Sequence, residues 1–377
     1  MAGTHTSSTH PPLHPTTEDD AVDRLRLLRS RRVGVATYRR LMAEHGDAAA
    51  ALKALPEIAM VAGVKGYEVC PASVVKAELQ AAKAAGAQLL TDDSADYPAN
   101  LATIDDAPPL LWALGDIALL KKPMIAIVGA RNASSLGTRM AKRLAQDLTA
   151  QGYVIVSGLA RGIDTAAHHG ALDGGTIAVQ AGGVDVIYPA ENAGLAKDIA
   201  TKGLRLSEAP MGLQPQARHF PSRNRIISGL ARAVVVVEAA AKSGSLITAR
   251  NALDQARDVL AIPGHPFDAR AAGCNLLLRD GATLVRHADD VIEALDPIAT
   301  DTTELPLAPP PSTSTKLRDT AALHNMILAR LGPAPIAEDQ LLRDIEAPAT
   351  SVTPVLVDLE LDGKITRQAG GLLARVV

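Results

Sequence analysis

The chain has few aromatic residues, hardly any cysteine, no excess of basic charge and no long apolar run, and each shortage closes off a class of function. Its 377 residues include two phenylalanines, five tyrosines and one tryptophan, so any ring that is present is informative about its surroundings. The two cysteines, Cys70 and Cys274, stand far apart with no Cys or His nearby at metal-ligand spacing. This excludes a disulfide framework and a zinc centre and predicts two buried thiols. The longest apolar runs, "AVVVV" at 233–237 and "MIAIV" at 124–128, are strand-length and far short of the roughly 20 residues that span a bilayer. No transmembrane helix is expected. Residues 1–20, "MAGTHTSSTHPPLHPTTEDD", lack the basic start and apolar core of a signal peptide and read as a disordered tail, so a cytoplasmic protein is expected. A formal net charge of −3 argues against coating nucleic acid through bulk charge, and any nucleic-acid site must be local.

What is present is apolar material, 47% of the chain, enough for a large core and for two or three domains. From 21 to 90 the apolar residues recur at helical spacing, in "RLRLLRSRRVGVATYRRLMAEHG" and "AAAALKALPEIAMVAG", with Gly34, Gly46 and Gly63 at plausible helix ends. Short helices joined by glycine turns suggest a SAM-like or helix-hairpin-helix module, or a plain helical packing domain. Residues 96–116, with three prolines and the sole tryptophan, read as an extended, irregular connection in which Trp112 packs a hinge.

The period then changes. "MIAIVGAR", "YVIVSGLARG", "TIAVQAGGV", "AVVVVEAAAKSG" and "DVLAIPGHP" are short β-branched runs separated by helix-length stretches. This alternation predicts an α/β core over 91–297, an extended Rossmann-like, doubly wound and mostly parallel sheet covered on both faces. Residues 298–317 are a Pro-rich linker. Residues 318–377 read helix, helix, helix and two short strands around Gly370–Gly371, the order of a winged helix.

In an open parallel sheet, ligands bind beyond the carboxyl ends of the strands. The first strand runs into "GARNASSLG" (129–137). There Gly129 permits a tight turn, Arg131 offers a fork of donors, and Asn132 and Ser134 lead into a helix whose positive end suits an anion. A second such loop, "AKSGSLITA" (241–249), places Lys242, Ser243, Gly244 and Ser245 at the next helix start. Before the valine strand, the loop and helix of "HFPSRNRIISGLA" are expected to bring Arg223, Asn224 and Arg225 towards the surface beside Phe220. A basic groove with an occasional ring suits single-stranded nucleic acid, with phosphates on cations and a base stacked on the ring. In "SGLARGIDTAAHHGAL" (157–172), Arg161 is a further candidate for phosphate. Asp164 and His168 lie one helical turn apart, but a helix cap and a buried polar contact explain them more simply than catalysis. Glu208 and Glu238 stand at strand ends with no nucleophile pair or metal spacing beside them.

These segments, with "YPANLATIDDAPPLLWALGD" and "IPGHPFDARAAGCNLLLRDGA", occur in the order and spacing of the DNA-processing protein A family, DprA, also called Smf, which the chain resembles over about 95–290. The resemblance implies a homodimer through the Rossmann-like domain that binds single-stranded DNA and helps load the recombinase RecA during natural transformation. It implies no catalytic activity, cofactor or membrane. It carries the family's phosphate-binding arginine onto Arg131 and its basic and aromatic groove positions onto Phe220, Arg223, Arg225 and Lys242. The family's usual Gly-Ser-Arg is Gly-Ala-Arg here, which removes one hydroxyl donor. From 318 to 377 there are six Lys/Arg against eight Asp/Glu, and this acidic balance predicts that the winged helix meets protein, or its own core domain, rather than duplex DNA.

Two rival readings weaken on particular residues. A phosphoribohydrolase-type nucleotide enzyme carries "GGxGTxxE" where this chain has "SGSLITAR", with Arg250 near the glutamate's place. A dinucleotide dehydrogenase needs GxGxxG and an acid at the second strand's tip, which here ends "VSGLARG".

Overall fold

A computed structural model of the chain describes residues 18–295, 313–345, 347–368 and 370–376. The expected tail lies outside the described residues up to 17, whereas 18–20 already belong to the first helix. The expected linker lies outside them up to 312, and 313–317 begin a helix. Two compact units divide at 297/298. No helix among the described residues is long and apolar enough to cross a membrane.

Four helices open the first unit: α1 (Glu18–Arg29), α2 (Val35–His45), α3 (Ala48–Val61) and α4 (Ala72–Ala85). Their ends follow local chemistry. The Asp47 carboxylate accepts the Ala50 amide at the start of α3, and Gly86 closes α4 in the left-handed region at φ 73°. Leu27, Tyr38, Leu41, Leu52 and Leu55 form the buried seam between α1, α2 and α3.

The chain continues through β1 (Gln88–Thr91), α5 (Ala99–Ala102), β2 (Leu110–Gly115), β3 (Met124–Val128), α6 (Ser135–Ala150), β4 (Val154–Ser157), α7 (Ile163–Ala171) and β5 (Thr176–Val179). It then adds α8 (Ala193–Lys202), β6 (Leu204–Ser207), α9 (His219–Leu230), β7 (Ala233–Val236), α10 (Ser245–Asp254), β8 (Asp258–Ala261), α11 (Ala272–Arg279), β9 (Thr283–Leu284) and α12 (Ala288–Leu295). The strands form one sheet in the order β1-β2-β6-β5-β4-β3-β7-β8-β9, parallel from β6 to β9, with β1 and β2 antiparallel. The five β-branched runs are β3, β4, β5, β7 and β8, so the expected Rossmann-like core is present.

Two expectations change here. Residues 96–116 are not wholly irregular, because they hold α5 and the sheet strand β2. Trp112 is a fully buried sheet residue, not a hinge contact. The sheet also starts at β1, inside the span assigned to the helical module. Cys70 and Cys274 are free and buried, as expected.

A buried carboxylate joins the helices to the sheet. Glu78 on α4 accepts from Arg29 of α1 at 2.9 and 3.1 Å and from the indole nitrogen of Trp112 on β2 at 2.8 Å. All three side chains are largely withdrawn from water.

The second unit contains α13 (Thr313–Arg330), β10 (Ile336–Ala337), α14 (Glu338–Ile345), α15 (Ala349–Leu361), β11 (Ile365–Gln368) and β12 (Leu372–Arg375). Three helices and a sheet ordered β10-β12-β11 make a winged helix around its own core of Ile327, Leu341, Leu356, Leu359 and Leu373.

Removing one member of a buried ion pair leaves the other uncompensated. Glu78→Ala is therefore expected to lower stability by about 3 kcal/mol, measured by urea denaturation. A loss below about 0.5 kcal/mol, the range of ordinary surface changes, would show that Glu78 does not join the two layers.

Candidate functional site

The chain runs from β3 through β4 and β5 to β6 on one side and then crosses back to β7, so the strand order reverses between β3 and β7. The helices that follow these two strands lie on opposite faces: α6 packs with α7 and α12, and α10 with α9. A crevice opens at such a point. Here it is a cleft of about 880 Å³.

Ten of the thirteen residues expected from the sequence line it: Gly129, Arg131, Asn132, Phe220, Arg223, Asn224, Lys242, Ser243, Gly244 and Ser245. Gly129 is required in place, since a Cβ there would come within 2.6 Å of Ile163 and 2.9 Å of the Glu238 carbonyl. The Ser243 and Ser245 hydroxyls bond each other at 2.7 Å in front of α10. The lining holds four cations, Arg131, Arg223, Lys242 and Arg270, against one carboxylate, Asp164. The chain's net negative charge therefore does not extend to this cleft.

Helix α9 explains which of its residues arrive there. It precedes β7 and runs against the strand direction, so its first turns stand at the carboxyl edge of the sheet. Phe220, Arg223, Asn224 and Ile227 follow a stripe at three-to-four spacing and all face the cleft. Arg225 lies about 200° round the helix from Arg223 and points away. It is ion-paired with Glu208 and, at 3.3 Å, with Asp106. Its assignment to the groove is corrected.

Arg223 is also not at the surface. It is 5% exposed, and its Nη1 donates to the Val179 carbonyl at 3.0 Å while its Nε has no partner. A Cβ on Gly158 would lie 1.6 Å from Nη1, so the guanidinium occupies the space that glycine leaves. Burial pushes its pKa down to about 10, with Asp164 favouring the charge and Arg131 opposing it, and it stays a cation at neutral pH. Phe220 packs under these cations, with Arg131 at 5.2 Å and Arg223 at 5.9 Å from its ring centre and the Tyr188 ring at 5.8 Å.

Two further expectations are modified. Ser134 does not line the cleft: its hydroxyl and amide both bond Glu238, at 2.5 and 2.9 Å, and the hydroxyl also accepts from Gly137 at 2.9 Å to cap α6. The positive end of α6 thus already faces an anion from the chain itself. Arg161 lines an adjoining cavity of about 270 Å³ shared with Arg131, Tyr188, Phe220 and Arg223, and stands 3.7 Å from Glu191. Sequence reasoning missed Tyr188 and Arg270, although Arg270 sits in the quoted segment "IPGHPFDARAAGCNLLLRDGA"; Arg270 is partly neutralised by Asp268.

The Asp164–His168 pair is structural. Asp164 accepts the Gly158 and Ala160 amides at 3.1 and 3.3 Å, which organises the β4–α7 loop rather than the helix start. His168 accepts the Leu159 amide at 3.3 Å and bonds Thr176 at 2.7 Å. Among the described residues, no cluster of three or more His, Cys, Asp or Glu could hold a metal.

Desolvation, then the fields of Arg223 and His169, push His168 down to about 3 from its ordinary 6.5. The unfolded chain takes up this proton below about 6.5 while the fold refuses it, so stability falls as pH drops from about 6.5 towards 3. A His168→Gln variant lacks this loss. Its stability deficit relative to the parent should shrink by about 2 kcal/mol between pH 6.5 and about pH 5, read by urea denaturation; a constant deficit would refute the account.

Comparison with known proteins identifies the family. The pattern of the family described as DNA recombination-mediator protein A matches residues 88–296. The DprA-like N-terminal HHH domain matches 18–81, and the DprA winged helix domain matches 308–371. The DNA processing protein DprA of Streptococcus pneumoniae is 49% identical over 198 residues, covering 52% of this chain and 70% of that protein. Protein Smf of Escherichia coli is 39% identical over 287 residues, 75% of this chain and 76% of that protein. The X-ray structure of the Streptococcus pneumoniae protein superposes with a TM-score of 0.61 at 35% identity, over 74% of this chain and 98% of that one. DNA processing protein A of Helicobacter pylori, whose structure concerns its single-stranded DNA binding mode, superposes with a TM-score of 0.52 at 32% identity, over 55% of this chain and 95% of that one. With its core over 88–296 and both flanking modules matched, the chain belongs to the DNA recombination-mediator protein A family.

Proposed function

We propose that the cleft between β3 and β7 holds single-stranded DNA, and that the protein protects incoming strands and passes them to the recombinase RecA, including during natural transformation. The observation that carries this reading is the convergence of Arg131, Arg223, Lys242 and Arg270 around Phe220 and Tyr188 in one open cleft. Cations spaced around rings suit a flexible strand, whose phosphates and unstacked bases can be met separately. The Helicobacter pylori relative, described through its single-stranded DNA binding mode, supports the same reading. Asp164 and His168 are both committed to backbone amides, which favours a binding protein over a nucleotide enzyme.

The protein acts as a homodimer through the Rossmann-like domain. This is supported by exposed apolar side chains at one end of the sheet, Phe267 at 94%, Leu276 on α11 and Leu284 on the edge strand β9. The winged helix meets protein rather than duplex DNA. The exposed positions of α15 include Thr353, Val357, Asp358, Glu360 and Leu361, and the helix contains no Lys or Arg.

Anisotropy of a labelled single-stranded oligonucleotide against salt tests the cleft. Wild type should bind with an affinity that falls with salt and exceeds that for the matching duplex, with a slope of about −0.7 per phosphate contact. Arg131→Ala should weaken binding roughly tenfold, about 1.4 kcal/mol, and flatten the slope by about one contact. Gly158→Ala, which displaces Arg223 from below, should weaken binding without touching the strand. Equal binding by Arg131→Ala would move the site elsewhere, and no binding by wild type would overturn the proposed function.

A further inference from the structure

The positive end of α6 stands at the point where the strand order reverses, where Rossmann-like folds receive the phosphates of free nucleotides. In this chain a carboxylate occupies it. Glu238, two residues beyond β7, accepts the Ser134 amide at 2.9 Å and the Ser134 hydroxyl at 2.5 Å. Its carboxyl lies so close over Gly137 that a Cβ there would come within 2.4–2.6 Å of the carboxyl carbon and both oxygens. Ser134 is the N-cap of a sixteen-residue helix, so this negative charge faces an intact dipole.

The cations of the cleft lie elsewhere. Arg131 and Lys242 are exposed on the two loops flanking this point, and Arg223 forms part of the wall. The lining does not include Ser134 or Glu238.

We infer that Glu238 is a specificity-determining residue, a built-in anion that fills the nucleotide-phosphate position of the fold and so keeps free nucleotides from competing with a polynucleotide held by the side-chain cations. The inference rests on the single-stranded DNA reading for its purpose, but not for its chemistry. A mononucleotide gains most from one focused anion site. A strand can spread its phosphates over Arg131, Lys242 and Arg270, and loses little when the helix end is filled. A second negative charge at that end would meet the carboxylate within a few ångströms, where like charges in a partly buried site repel strongly.

Two variants of the full chain test it. Glu238→Gln removes the charge and keeps the shape, and Glu238→Ala removes both. Inorganic pyrophosphate is titrated into each by calorimetry, and binding of a labelled single-stranded oligonucleotide is measured with and without millimolar ATP, against sodium chloride of equal ionic strength. Wild type should show no pyrophosphate binding, and ATP should affect it no more than the salt control. The variants should gain pyrophosphate binding, and ATP should weaken their oligonucleotide affinity by about tenfold beyond the control, more for Ala than for Gln. A thermal melt identifies which variants fold. Absence of pyrophosphate binding and of ATP competition in whichever variants fold overturns the inference, as does ATP competition in wild type. Failure of wild type to bind the oligonucleotide would overturn the function proposed above, while the pyrophosphate titration would still decide the role of Glu238.

Discussion

The cleft is organised around one buried cation. Arg223 inserts its guanidinium beneath the carboxyl ends of β4 and β5, in the space left by Gly158. Taking a guanidinium out of water is costly, and the cost is offset only by partners placed in advance. The Val179 carbonyl accepts one of its donors, and the buried Asp164, held by two loop amides, supplies the opposing field. The same arrangement fixes the β4–α7 loop, the start of α9 and the seat of Phe220. Arg131 then completes the site from the β3 loop by lying over the ring.

Helix α9 carries this site, and it is braced from behind. Arg225 faces away from the cleft to Glu208 and Asp106, and Arg29 of α1 reaches the Glu208 carbonyl at 3.4 Å. Arg39 of α2 bonds the carbonyls of Asp105 and Ala107, in the segment that supplies Asp106. Several arginines of the helical module are thus spent on attaching it to the sheet. Its basic residues were legible in the sequence, whereas their inward direction follows only from packing.

Charge shows a similar division between composition and placement. Acids outnumber bases over the chain, yet the cleft gathers four cations around one carboxylate. Glu238 sharpens the contrast, because it places a negative group at the start of α6, and the cations of the cleft are supplied by side chains on the flanking loops and α9.

How much was readable in advance depends on whether the signal was local. The β-branched runs of β3, β4, β5, β7 and β8 announced a parallel core because strands covered on both faces must be apolar throughout. The loops after β3 and β7 announced the ligand edge through glycine, serine and cation chemistry. Strand β6 was hidden because its "LRLS" buries Arg205 against Gln180 and the Val184 carbonyl, and β2 because prolines precede it. The residue types of the site, the glycines that make room for it and the alternation of strand and helix were determined by the sequence alone. Which arginine of "SRNR" enters the cleft, which is buried and which turns away was decided by the tertiary structure. A helix of 3.6 residues per turn sends neighbours to different faces, and only packing decides which face meets the sheet, which meets a carboxylate and which meets solvent.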